Sequence, residues 1–259
     1  YAKATEICTV AVEYMKSLFM LFDPSLDLIE MQRNILSSLQ KYNSSKTYTD
    51  FKNVLIDKLS PWYSKKTLHQ LCFLFEQEKN SEKETKAIYR ICISALLKAT
   101  SSQDRGWGCI ADNVLPKIER IRDKNVLNVF KSKARRLTGD ISKHLQEVGP
   151  LYPDIYKEMA SNQPIIHEDV TICNSVKDDS VDLVVTSPPY PNMTDYVTAQ
   201  RLSYYFLGFD VSNRDTLKDG VLEIGARYRR NRKDSVDKYF EAMRIVNKCV
   251  SQKVKRNGY

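Results

Sequence analysis

The sequence predicts an α/β fold in which a large, mainly helical region precedes part of a doubly wound parallel sheet. Three observations predict it. Apolar residues recur at three- and four-residue steps over most of residues 1–150, as in helices that bury one face. The pattern changes at Val148-Gly149-Pro150, which divides a helical region, 1–150, from a second region, 151–259. Beyond that point a short apolar run, Val181 to Thr186, leads into Ser187-Pro188-Pro189-Tyr190 and then into a helix. A run apolar on both faces suits the centre of a parallel sheet, and strand, loop and helix in that order are half of a doubly wound unit, whose ligands sit at the strands' carboxyl ends.

The elements follow in order. Ile7, Val10, Ala11, Tyr14, Leu18 and Leu21 share one face of a helix predicted over Ala4 to Leu21. Leu28, Met31, Ile35, Leu36 and Leu39 form a second stripe, ended by the polar loop Tyr42 to Thr49. Three helices are predicted between Phe51 and Ala99; Ser60-Pro61 can start one, and Ser81 with Glu84 has the spacing of a capping box ahead of another. A loop at Ser101 to Asn113 precedes a helical region over about Val114 to Leu145. Pro164 to Glu168 and Val181 to Thr186 are the predicted strands; Asp195 to Leu207 is a helix that Asp195 can cap, and a final helix carries Val236, Tyr239, Phe240, Met243, Val246 and Val250 on one side.

A net charge of +8 favours a polyanionic partner, because each cation set against a phosphate releases condensed counterions. No apolar run approaches the ~20 residues that cross a bilayer, and the N-terminus lacks the regions of a signal peptide, so a soluble, cytoplasmic protein with no membrane partner is expected. Six scattered cysteines without a Cys-x-x-Cys pair, beside three histidines, argue for reduced thiols and against a metal site or disulfide framework. A chain that starts at Tyr1 in a helical pattern and stops at Asn257-Gly258-Tyr259 is expected to be a fragment or trimmed product.

The segment Val181 to Tyr190, an apolar run ending in Ser187-Pro188-Pro189-Tyr190, resembles the catalytic motif of the S-adenosylmethionine-dependent DNA methyltransferases that modify exocyclic amino groups. The resemblance implies a partial Rossmann-like catalytic domain at 151–259. Its chemistry accounts for the residue types. The lone pair of an exocyclic amine is delocalised into the ring, so the enzyme must hold both N–H groups with acceptors that favour a tetrahedral nitrogen. By the resemblance these are Ser187 Oγ and the Pro188 carbonyl, while Pro188 and Pro189 stiffen the loop and remove competing donors. Stiffness matters because methyl transfer needs reacting atoms within roughly 3–3.5 Å. Tyr190 would stack on a base flipped out of double-stranded DNA.

Other segments extend the resemblance. Ile165-Ile166-His167-Glu168-Asp169 is similar to the strand that ends in Gly-Asp in the family, which makes Asp169 a cofactor contact or else a turn residue; Glu168 stands where the family has glycine. Ser187 belongs to the cofactor side as well as to the catalytic loop. Downstream, Asp195 and Tyr196 could line the base site, or serve as a helix cap and a core aromatic. Ile224-Gly225-Ala226-Arg227 matches an Ile-Gly-x-Arg segment of one branch, and Arg227, Arg229, Arg230 and Arg232 could grip DNA phosphates, with a solvated charge run as the alternative. Arg105-Gly106-Trp107-Gly108 to Ala111-Asp112-Asn113 also resembles that branch, in which a helical insertion separates the cofactor half from the catalytic strand. The family's glycine-rich cofactor loop has no match in this sequence, so a preceding segment or a partner chain is expected to supply it.

The resemblance implies transfer of a methyl group to cytosine N4, with adenine N6 as the alternative and a companion restriction endonuclease as a possible context. A catalytically silent DNA-binding or specificity subunit is the reading of another class, and methylation of RNA or protein amines is a third.

Overall fold

The computed structural model describes residues 4–6, 8–48, 54–103, 114–162, 164–213, 217–229 and 231–258. In chain order they form β1 (Ala4–Glu6), α1 (Thr9–Met20), α2 (Leu28–Ser38), α3 (Ile56–Leu59), α4 (Lys65–Lys79), α5 (Lys83–Thr100), α6 (Val126–Glu147) and α7 (Pro153–Asn162). After these come β2 (Ile165–His167), α8 (Tyr196–Ala199), α9 (Arg201–Phe206), α10 (Lys218–Leu222) and α11 (Ser235–Lys253). The chain is mainly helical, and among the described residues the one sheet is the parallel pair β1–β2, in the register Ala4 with Ile165 and Glu6 with His167.

Two compact units divide the chain at other points than Gly149. One comprises residues 13–163 and 200–210; the other comprises residues 1–12, 164–199 and 211–259. The first is a helical assembly in which α5 packs against α4, α6 and α9, and α2 against α6. Its centre is apolar and aromatic: Phe73, Phe75, Leu71 and Leu74 of α4, Ile88 and Tyr89 of α5, and Phe130 of α6 are fully buried. Rings stack there, with Tyr89 on Phe130 at 5.1 Å between centroids. The Tyr89 hydroxyl reaches Ser38 at 2.9 Å, which satisfies its polar end.

Helix starts follow capping chemistry more than the spacings suggested. Ser64 accepts from the backbone of Thr67 at 3.2 Å and begins α4, whereas Ser60-Pro61 sits in a single 3-10 turn. Ser81 does not cap α5; its hydroxyl donates back to Gln77 O at 2.6 Å. The helical region predicted from Val114 starts only at Val126, where Asn125 is the cap.

In the second unit β1 corrects the reading of Ala4 to Glu6 as the first turn of a helix. The Glu6 carboxylate accepts from Cys8 N at 2.8 Å, and α1 begins at Thr9, whose N–H and hydroxyl both donate to Asp219, at 2.6 and 2.9 Å. A carboxylate against the free N–H groups of a helix start is favoured by the helix dipole, and this one is fully buried. The second predicted strand is corrected as well. Residues 183–190 belong to no strand, Leu183 is 61% and Val185 87% exposed, and the pairing stops after one parallel bridge, Val181 with Val254. An extended segment is buried on both faces only where strands flank it and helices cover them; among the described residues only the chain around Val254 lies alongside.

That one junction is well made. Ser180 and Val181 donate to Lys253 O, both at 2.9 Å, and Lys255 N returns a bond to Val181 O at 2.9 Å. Lys255 Nζ lies 2.7 Å from Asp182, which holds that carboxyl below its ordinary range, and Lys253 Nζ lies 2.5 Å from Asp178. No helix among the described residues is long and apolar enough to cross a membrane.

Candidate active site

The loop Ser187 to Tyr190 lies on the surface of the second unit. Ser187 and Pro188 are exposed, Pro189 is half-buried, and the Tyr190 ring is 65% exposed. Its shape is held from one side. The Tyr239 hydroxyl, on α11, donates to the Pro189 carbonyl at 2.9 Å, one residue beyond the Pro188 carbonyl assigned to a substrate amine.

The chain that follows is clamped to residues 223–227. Asn192 N donates to Gly225 O at 2.8 Å, and Arg227 N donates to Thr194 O at 3.2 Å. Tyr196 N donates to the buried Glu223 carboxylate at 2.6 Å. Gly225 is required where it stands. Its φ is +71°, and a Cβ there would lie 3.0 Å from the Tyr239 ring and 3.3 Å from the Pro191 backbone. Two segments that the sequence separates by some thirty residues, the Ser-Pro-Pro-Tyr loop and Ile224-Gly225-Ala226-Arg227, therefore share one site, and Tyr239 joins them.

Tyr196 stands 39% exposed at the start of α8. Burial raises its hydroxyl above the ordinary tyrosine value, and the charges of Glu223, Tyr190 and Glu6 raise it further. The carboxyl end of β1 is thus within electrostatic reach of the loop. Asp195 immediately precedes α8, and its carbonyl accepts from Ala199 N at 2.8 Å. Nearby, His167 at the end of β2 has Nε2 4.0 Å from Asp219.

Behind the clamp is a cavity of about 340 Å3, lined by Asp169, Asn192, Glu223, Gly225, Arg229 and Tyr239 among others. That volume is at the small end of ligand sites, which run from about 300 to 1,000 Å3. Asp169 turns the chain after β2: its carboxylate accepts from Thr171 N at 2.9 Å and its carbonyl from Ile172 and Cys173. Glu168 folds over the same loop, accepting from Asn174 N at 2.8 Å and from the Ser175 hydroxyl, which holds its carboxyl below the usual range.

The basic cluster is divided. Arg227 and Arg232 are exposed. Arg229 is committed inward, its guanidinium donating to the carbonyls of Gly220 at 2.9 Å, Val221 at 3.0 Å and Glu223 at 3.3 Å. Those carbonyls end α10, where a cation is favoured, so Arg229 braces the clamp. Arg230 and the segment from Arg105 to Asn113 lie outside the described residues.

Glu6, Asp219, Glu223 and Tyr239 were not singled out by sequence reasoning. Tyr239 left one signal, its place on the apolar stripe of the final helix; the three carboxylates left none. No family model, no curated protein and no solved structure matches this chain.

Proposed function

We propose that this chain carries the amine-binding part of an S-adenosylmethionine-dependent DNA methyltransferase of the amino-group type, acting on cytosine N4. The observation that carries the reading is the clamped, outward-facing Ser187-Pro188-Pro189-Tyr190 loop: a stiff turn whose polar and aromatic groups face solvent while its back is tied to Gly225 and Tyr239.

The residues act as follows. Ser187 Oγ and the Pro188 carbonyl accept the two N–H groups of the target amine and orient its nitrogen lone pair. Tyr190 stacks on the everted base, and its exposed ring is the kind of surface such stacking uses. Tyr239 fixes the loop by holding the adjacent carbonyl, which keeps the acceptors preorganised. Arg227 and Arg232, both exposed, meet phosphates.

Asp169, Asn192 and the clamp around the 340 Å3 cavity offer acceptors and donors of the sort an adenosine needs, so the nucleoside side of the cofactor fits. The glycine-rich approach that its methionine side needs is not present in this sequence, and the reading assigns that part to polypeptide beyond these residues. When bound, the cofactor supplies an electrophilic methyl group. Support for a Rossmann-like sheet comes from the two parallel pairings, β1 with β2 and the bridge of Val181 with Val254, since parallel neighbours need crossover connections and α11 leads into Val254.

The test is incubation of the full chain, alone and inside its intact protein, with S-adenosylmethionine and duplex DNA, followed by nucleoside mass spectrometry. N4-methylcytosine is expected, lost in Ser187→Ala and Tyr190→Ala with the helical circular dichroism unchanged. N6-methyladenine alone would move the assignment to adenine. Because the glycine-rich loop is missing, a catalytically silent DNA-binding subunit is the second reading; DNA binding without either methylated base in the intact protein would establish it.

A further inference from the structure

The helical unit carries a feature that the catalytic reading does not use. Between the buried Pro116 and the start of α6, residues 117–120 are all exposed, and the Ile118 side chain is 86% exposed at the tip of a single 3-10 turn. A lone exposed isoleucine needs no explanation. This one stands in a basic segment, with the exposed Lys117 and Arg120 on either side of it in sequence and Lys124 further on, and the exposed Lys65 and Lys66 open α4, which the segment contacts through Asp123 and Lys124. The two acids of the segment are Glu119 and Asp123, and Asp123 already faces Lys66 at 4.0 Å.

The turn is also held rigidly. Arg120 N donates to Lys117 O at 2.9 Å and Ile121 N to Ile118 O at 3.1 Å, closing the tip. Arg122 Nη1 donates to Glu119 O at 2.6 Å and Ile121 O at 3.0 Å. Three further bonds fasten its base: Arg122 N to Ser102 Oγ at 3.0 Å, Lys124 N to Thr67 Oγ1 at 2.8 Å, and Val126 N to Gln70 Oε1 at 2.8 Å. Thr67 and Gln70 are themselves buried on α4. An apolar tip presented on a stiff base and flanked by cations is the arrangement by which proteins insert a side chain between base steps and hold the neighbouring phosphates. A protein partner would need about 800 Å2 of complementary surface, and one protruding side chain among cations is a poor start for that.

We propose that residues 117–124, with Lys65 and Lys66, form a duplex-docking element in which Ile118 is an apolar wedge and Lys117 and Arg120 are phosphate contacts. The proposal rests on DNA being the substrate. It gives the helical unit a task of its own: gripping and locally unstacking the duplex.

The experiment measures binding of the full chain to a short duplex containing 2-aminopurine, by anisotropy across a salt series and by 2-aminopurine emission. The K117Q/R120Q pair should lower the salt slope by about 1.8, from about 0.9 per phosphate contact. Ile118→Ser should abolish the rise in 2-aminopurine emission with an unchanged slope. Both sites are exposed, and an unchanged thermal transition will show that the variants are folded. A parent that binds with a slope the double variant leaves unchanged, or an Ile118→Ser protein that still raises emission, overturns the docking element while leaving the DNA reading in place. A parent with no affinity for duplex at low salt overturns both. Conversion of a dimer to a monomer by Ile118→Ser, with DNA binding unaltered, would instead make the tip a contact between copies.

Discussion

The two units differ in where their largest apolar side chains lie. The largest fully buried side chains, Tyr89, Tyr204, Phe73, Phe75 and Phe130 foremost, all belong to residues 13–163 and 200–210. The other unit leaves Leu183, Val185, Met193, Val236 and Phe240 between 49% and 87% exposed. Helices satisfy their backbone internally and need only one neighbour to cover a stripe, so α4, α5 and α6 complete a core among themselves. Extended segments need partners on both edges and layers on both faces. The contrast teaches that helical packing can be finished within a short stretch of chain, while the segment leading to Ser187 waits on neighbours it does not contact here.

The sharpest way to break this comparison is by truncation. Phe73→Ala in the helical core should cost about 3–5 kcal/mol in a denaturant titration, whereas Val185→Ser should stay within about 0.5 kcal/mol. A loss at Val185 comparable to that at Phe73 would mean the extended segment is covered after all.

Within the α/β unit the clamp should be the stiff part. Gly225→Ala forces a side chain into a positive-φ position against Tyr239 and Pro191, so a cost of about 1–3 kcal/mol is expected, with faster hydrogen exchange at Asn192 and Arg227. Tyr239→Phe removes one hydrogen bond and should cost about 1 kcal/mol; loosening confined to residues 187–192 would sharpen the picture, and unchanged exchange there would remove Tyr239 from it.

Smaller effects concern titration. The depressed carboxyl of Glu168 means that its hold on Asn174 and Ser175 is present above the unfolded carboxyl value and is lost as pH falls through the lower folded one. Amide exchange of Asn174 and Ser175 should accelerate over that acidic window, and Glu168→Gln should flatten the dependence. Least of all, burial pushes the thiols of Cys72 and Cys92 up to about 12, so iodoacetamide at neutral pH should modify the half-buried Cys8 well before either.

What could be read from sequence divides along the same line. The stripes of α2, α4 and α5 are legible because a helix places residues three and four apart on one face. Residues 4–6 were lost in such a stripe: Ile7 and Val10 continue the period of α1, and nothing local tells that Ala4 to Glu6 pair with a strand some 160 residues away. The buried strand at Val181 to Thr186 was inferred from its apolar content alone, which reports what a segment would bury, not whether neighbours are at hand. The Ser-Pro-Pro-Tyr loop was legible as a stiff turn. Its clamp was not, since Asn192 and Arg227 bond backbone to backbone and the Tyr239 hydroxyl bonds a backbone carbonyl, acceptors that no side-chain pattern encodes. The inward bonds of Arg229 were illegible for the same reason, as its partners are carbonyls.

Helix α11 also sets a length. From Tyr239, which holds Pro189, to Val254, which pairs with Val181, it advances 15 residues, or about 22 Å at 1.5 Å each. The chain it subtends, Val181 to Pro189, is eight steps, about 26 Å when fully drawn out. The helix is thus tied to that segment at both ends, through Val254 at Val181 and through Tyr239 at Pro189. Lengthening or shortening the helix by a single residue would rotate Tyr239 about 100° off its carbonyl.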